Sequence, residues 1–208
     1  MFAPPSGRYL LVSGAGLALL SLGTGLGWAP RTLATAALLV TLWALWVFFA
    51  VFFRDPERSP GAHIVSAADG RVREVSDDGE WLTVSTFMNV TDVHVNRFPM
   101  TGRVDAVERA GAGFRPAFGE AARHNVRCHY RLSTALGEVE VIQMTGLVAR
   151  RLVPLVAVGE SHAKGDRLGM ILLGSRVDVR LPSSKVRPLV ERGARLRAGE
   201  TPIAEERA

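Results

Sequence analysis

Leu172-Leu173-Gly174-Ser175-Arg176-Val177-Asp178-Val179 holds a Gly-Ser pair between two apolar runs. Val177, Val179 and Leu181 alternate with Arg176, Asp178 and Arg180, the period of two expected of a half-buried strand. Gly-Ser taken alone is a common turn dipeptide. Between strand-like runs it is also the arrangement needed for a chain that cuts itself. The serine hydroxyl can attack the carbonyl of the residue before it, and glycine there leaves that carbonyl sterically open.

Short apolar runs separated by turns continue through the chain after Pro56 and Pro60. Residues 70–75, 81–87, 90–95, 138–143 and 177–181 predict strands, and residues 117–123 read as a short helix or a loop. Residues 156–168 resemble residues 190–202, with Gly159 and Gly165 answering Gly193 and Gly199. This is the hammerhead-turn pattern of barrel-sandwich folds, in which glycine supplies positive φ at tight corners. Such folds include biotinyl and lipoyl carriers. Lys164 and Lys185, the only lysines, lack the aspartate-preceded setting a carrier needs, so the fold is kept and the carrier function is not. The expected class is mainly β, with a barrel-sandwich-like soluble domain over residues 54–208.

The apolar residues pile up before that domain. Residues 9–28 and 32–53 carry no charge, and the second segment ends in the dense run Leu42-Trp43-Ala44-Leu45-Trp46-Val47-Phe48-Phe49-Ala50-Val51-Phe52-Phe53. Each is long enough to cross a hydrocarbon core of roughly 30 Å. A turn with Gly27 and Pro30 separates them, which predicts an N-terminal transmembrane helical hairpin over residues 1–53. Arg8 precedes it, Arg54 and Arg58 follow it, and Arg31 alone sits in the turn. The positive-inside rule then places both ends, and the soluble domain, on the cytoplasmic face of the cell membrane. A cleavable signal peptide does not fit an apolar run this long followed at once by a second.

The 208 residues carry 25 Lys and Arg against 20 Asp and Glu, a net charge of +5 that favours anionic partners. No nucleic-acid-binding signature accompanies that charge, and aromatic residues do not interleave with it, so nucleic acid is not an expected partner. Cys128, the one cysteine, excludes an intrachain disulfide and reads as a small apolar filler. His63, His124, His129 and His162 form no metal-ligand spacing, and no metal is expected.

Two other segments carry candidate chemistry. Ser66-Ala67-Ala68-Asp69-Gly70 places an acid before a turn glycine. Asp92-Val93-His94-Val95-Asn96-Arg97 places a histidine in an alternating stretch, opposite in phase to Val93 and Val95. An unactivated serine hydroxyl is a poor nucleophile and needs a base. Histidine can take its proton near neutral pH, and a carboxylate can orient the imidazole.

With Phe53-Arg54-Asp55-Pro56-Glu57-Arg58, Pro99, Gly146-Leu147-Val148-Ala149-Arg150-Arg151 and Gly169-Met170-Ile171-Leu172-Leu173-Gly174-Ser175, these motifs resemble the phosphatidylserine decarboxylase family in its short form. The resemblance covers residues 53 to about 204. It implies a proenzyme that cleaves itself between Gly174 and Ser175. Attack of Ser175 gives an ester, β-elimination frees a large chain ending at Gly174, and hydrolysis of the dehydroalanine leaves a pyruvoyl group at position 175. That covalent group is the implied cofactor, and decarboxylation of phosphatidylserine to phosphatidylethanolamine the implied activity. His94 and Asp69 match the pair that activates the serine, His94 as base and Asp69 as its orienting acid. The implied partners are a phospholipid substrate in the membrane, the small and large chains of one precursor, and a second copy in a homodimer.

Three departures matter. Arg176 follows the serine, as in the short form, where many family members have threonine; Arg97 stands where long-form members have a second histidine; and Asn125-Val126-Arg127 lacks an acid at its centre. Arg150, Arg151 and Arg176 are candidates to hold a lipid phosphate or substrate carboxylate, which suits the planar guanidinium. A basic face lying against anionic headgroups would use the same residues. Two other readings fit the sequence: a pyruvoyl decarboxylase of another amino-acid lipid, and a non-catalytic, membrane-tethered, lipid-binding β-sandwich module.

Overall fold

The two apolar segments are helices: α1 spans Ser6–Gly25 and α2 spans Leu33–Phe52. The computed structural model describes residues 2–3, 6–27, 32–112, 125–146, 151–172 and 175–207. Thr32 caps α2, its hydroxyl accepting from the Thr35 amide at 3.2 Å. Trp46 Nε1 donates to the Leu10 carbonyl at 3.0 Å and Trp43 Nε1 to Ser21 Oγ at 3.1 Å, so the helices pack side by side. Among the described residues, α2 is the one helix long and apolar enough to cross a membrane. Ser13, Gly14, Gly16, Ser21 and Thr24 dilute α1. Contacts divide the chain into two units, Met1–Glu57 and Arg58–Ala208.

The second unit is mainly β. Its first strands are β1 (Ile64–Val65), β2 (Gly70–Asp77), β3 (Trp81–Met88), β4 (Val95–Arg97) and β5 (Gly102–Ala110). β6 (Arg127–Thr134), β7 (Gly137–Thr145), β8 (Arg151–Pro154), β9 (Ser161–His162) and β10 (Arg167–Leu172) follow. β11 (Ser175–Pro182), β12 (Val186–Pro188), β13 (Arg195–Leu196) and β14 (Pro202–Glu206) complete the chain. An eight-stranded sheet has the order β13-β2-β3-β11-β7-β6-β5-β9, and two three-stranded sheets have the orders β4-β10-β8 and β1-β14-β12. Their pairings are antiparallel.

The alternation read at residues 177–181 is the core face of β11. Val177, Val179 and Leu181 are buried with Val84 of β3 and Val139 and Val141 of β7. Cys128 is buried in the same core as a free thiol. The recurring Gly159, Gly165, Gly193 and Gly199 all have positive φ, as the corner reading requires.

The run at residues 90–95 is not a strand throughout. Only Val95 joins β4, because Asp92 closes a turn before it. The Asn89 amide donates to Asp92 Oδ2 at 2.8 Å, and the Asp92 amide to the Asn89 carbonyl at 3.0 Å. A short polar side chain here satisfies the backbone better than a ladder could. Residues 117–123 lie outside the described part.

Gly70 begins β2 with φ +139, and a Cβ on it would lie 2.1 Å from the Phe87 carbonyl oxygen. Both terms are backbone, so neither can yield cheaply. Gly70→Ala is expected to cost about 3 kcal/mol or more of unfolding free energy. Urea titration checks this, and a loss within about 0.5 kcal/mol, the scale of a neutral surface change, would contradict it.

Candidate active site

Ser175 is the first residue of β11, and its backbone lies between Met88 of β3 and Thr145 of β7. His94 stands just before β4 and is fully buried. Its own carbonyl accepts from the Ile171 amide at 3.1 Å, on the strand that leads to residues 174 and 175. Two chain segments therefore join His94 to Ser175. One runs from Met88, paired with Ser175, through the Asn89–Asp92 turn to His94. The other runs from Ile171, bonded to His94, to Ser175 itself. This loop closure links the backbone of His94 to the start of β11 by two short routes.

The same turn sets the chemistry of the imidazole. His94 Nδ1 lies 2.8 Å from the Asp92 carbonyl oxygen, which can only accept. In the neutral ring the proton is thus on Nδ1, and Nε2 is the basic nitrogen.

Asp69 is buried, but its hydrogen bonds go elsewhere. Arg58 Nη2 donates to Oδ2 at 2.9 Å and the Ala198 amide to Oδ1 at 2.8 Å. Arg58 Nη1 also reaches the Ala198 carbonyl at 3.2 Å. In this structure the Asp92 carbonyl holds His94 Nδ1, while the Asp69 carboxylate, expected from sequence to orient His94, is engaged by Arg58 and the Ala198 amide. The segment bearing Asp69 still adjoins β4, since the Arg97 amide donates to the Ala67 carbonyl at 2.9 Å. Nothing in the local charge pattern around Arg58 marks it as the partner of Asp69.

The three candidate arginines separate. Arg151 opens β8 opposite Leu172 and is exposed. Arg176 is committed on the outer face of the large sheet, with Nε 2.7 Å from Asp178 Oδ1 and Nη2 2.8 Å from Ser85 Oγ. Arg150 and Gly174 lie outside the described residues. Arg97, in place of a second histidine, is buried and donates from Nη1 to the Gly165 carbonyl at 2.9 Å. Burial pushes the Asp178 carboxyl up from its ordinary value, against the opposing pull of Arg176 and Ser85.

Comparison with known proteins gives these features their setting. Residues 45–204 match the phosphatidylserine decarboxylase family. A phosphatidylserine decarboxylase proenzyme from Thermobifida fusca is 46% identical over 167 residues, covering 79% of this chain and 76% of the relative. One from Streptomyces avermitilis is 41% identical over 205 residues, covering 96% and 95%. A putative archaetidylserine decarboxylase proenzyme from Halobacterium salinarum is 48% identical over 166 residues, covering 77% and 82%. The chain belongs to the phosphatidylserine decarboxylase family.

Two measurements probe the site's electrostatics. Arg58 and Asp69 side chains are only 7% and 11% exposed, so Arg58→Ala strands a buried carboxylate. It should lower unfolding free energy by about 3–5 kcal/mol in denaturant titration, and an unchanged midpoint would contradict that. For Asp178, the folded state holds its proton to higher pH than the unfolded chain. Its ionisation therefore erodes stability as pH rises from about 4, the ordinary carboxylate value, through the raised folded value. The stability of Asp178→Asn relative to the parent should accordingly improve with pH across that window, and a flat difference would refute the assignment.

Proposed function

We propose that this chain is a proenzyme that cleaves itself between Gly174 and Ser175 and then decarboxylates phosphatidylserine to phosphatidylethanolamine. The observation that carries the reading is the double closure of His94 onto Ser175, through Met88 and through Ile171. Family membership supports it, as do relatives named as proenzymes of this activity.

Ser175 is the nucleophile. Its hydroxyl adds to the Gly174 carbonyl while His94 Nε2 takes the proton. The Gly174–Ser175 amide becomes an ester, with the amine of residue 175 released in place. Loss of the α-proton then expels the Gly174 carboxylate, and water replaces the nitrogen as ammonia to leave a pyruvoyl group. Asp69 is assigned to support His94 during cleavage, which requires it to exchange one of its partners, Arg58 or the Ala198 amide.

The surroundings fit such a group. Met88, Thr145 and His94 are each 0% exposed, so an electrophilic ketone at position 175 would be shielded from water. The pyruvoyl group supplies an electron sink for the charge left when carbon dioxide departs. His94 is assigned to return a proton to the substrate carbon. Arg151, exposed beside Leu172, is the arginine best placed for the lipid phosphate or substrate carboxylate, with Arg150 next to it in sequence. Arg176 would have to leave Asp178 and Ser85 to serve.

We read α1 and α2 as a two-span hairpin (residues 1–53) that holds the domain of residues 54–208 on the cytoplasmic face of the membrane, where a lipid substrate lies. The domain itself is read as a barrel-sandwich, on the strength of its repeated glycine corners, and the oligomer as a homodimer by family membership. A second substrate reading has a specific basis, because the relative from Halobacterium salinarum is named for archaetidylserine.

Mass spectrometry of the purified full chain tests the proposal. The expected result is a small chain of residues 175–208 with a pyruvoyl N-terminus, absent in Ser175→Ala and strongly reduced in His94→Ala. The cleaved protein should release carbon dioxide from phosphatidylserine in vesicles. Preference for archaetidylserine in the same assay would move the chain to the second substrate, and an intact chain without turnover would favour the lipid-binding module.

A further inference from the structure

Four residues form a hydrogen-bonded chain through the middle of the core, and the proposed reaction gives three of them, Tyr130, Gln143 and Asn96, no part. Tyr130 Oη donates to Gln143 Oε1 at 2.9 Å, Gln143 Nε2 to Asn96 Oδ1 at 2.7 Å, and Asn96 Nδ2 approaches Met88 Sδ at 3.7 Å. Tyr130, Gln143, Asn96 and Met88 are each 0% exposed. Burial pushes the Tyr130 phenol well above its usual range, so it stays protonated. Gln143 offers its oxygen to Tyr130 and its amide nitrogen to Asn96, and Asn96 turns its own nitrogen toward Met88.

The path of this chain matters more than its length. His94 precedes β4 in one sheet, and Ser175 begins β11 in another. Asn96, two residues from His94, reaches both strands that flank Ser175. It touches β3 through Met88, the residue paired with Ser175, and β7 through Gln143, two residues before Thr145. Gly169 on β10 pairs directly with Asn96. A Cβ there would lie 2.6 Å from Tyr130 Oη and 2.9 Å from Gln143 Nε2, so only glycine leaves the polar chain its room.

We propose that Asn96 is a positioning residue for the reaction at Ser175: tied through Gln143 to β7 and through Met88 to β3, it fixes β4, which directly follows His94, against the two strands that flank Ser175. Gln143, Tyr130 and Gly169 hold it in that role. The inference rests on the proposed self-cleavage.

A volume-matched apolar variant separates positioning from mere core satisfaction. Replacing all partners of a buried network by apolar groups of similar shape is close to neutral for stability. Asn96→Leu/Gln143→Met/Tyr130→Phe should therefore unfold near the parent temperature. Its self-cleavage, followed by appearance of the small chain well below that temperature, should still be slowed about 100-fold, the scale of a misplaced reacting group. In its cleaved fraction kcat should fall while KM for phosphatidylserine holds. Where that variant does not fold, Gly169→Ala decides. It keeps every polar group but pushes on Tyr130 and Gln143, and should slow cleavage about tenfold, equivalent to 1.4 kcal/mol in the barrier. Parent-like cleavage by either folded variant overturns the inference and leaves the proposed function standing. A parent chain that never cleaves overturns both.

Discussion

β11 is hydrogen-bonded along both edges from its first residue, and the rest of the arrangement depends on that double pairing. Ser175 meets Met88 on one side and Thr145 on the other, so the backbone at the proposed cleavage point is fixed by two neighbours. The residues beyond it are woven in as firmly. β12 and β14 share a sheet with β1, and β13 pairs with β2. Breaking the bond before Ser175 removes one covalent link and none of these ladders. A proenzyme of this topology can lose its continuity and keep its fold, because each ladder bond contributes modestly and many act together.

Catalytic placement then becomes a problem of joining two sheets. Ser175, the proposed nucleophile, begins a long, regular strand, where its backbone has little freedom. His94, the proposed base, sits at the end of a tight turn, where the chain can aim a ring nitrogen by local hydrogen bonding. Asp92 does two things there: its side chain closes the turn on Asn89, and its carbonyl sets the tautomer of His94. A carbonyl in this role is neutral and acceptor-only. It fixes which nitrogen is basic, whereas a carboxylate would also stabilise the imidazolium formed when the serine loses its proton. That added stabilisation is what Asp69 would contribute by exchanging partners.

Much of this was legible in residues alone. Val177, Val179 and Leu181 announced β11, Val139 and Val141 announced β7, and four glycines at matching spacings announced corners that have positive φ. What escaped was set by contacts between distant segments. Alternation at residues 90–95 suggested a strand because periodicity cannot register that the Asp92 side chain competes for the backbone. The ion pair of Asp69 with Arg58 has no periodic signature. Arg176 alternates with core residues of β11, and that phase alone places it on the face away from them, with Asp178 and Arg180. One available signal went unused: Gln143 is in phase with Val139 and Val141, so a polar side chain was bound for the core and needed a partner there.

That glutamine bears on how the two sheets are held to each other. Apolar packing between them would bury as much surface without the cost of desolvating two amides and a phenol. Apolar contacts, however, tolerate small slides, since they have no direction. A directional hydrogen-bonded chain, from the Tyr130 hydroxyl through Gln143 to Asn96, does not tolerate them. Its gain is therefore in the definition of one arrangement more than in stability. The arrangement it defines is the distance between β4 and the two strands around Ser175, and the proposed proton transfer from the Ser175 hydroxyl to His94 would be acutely sensitive to that distance.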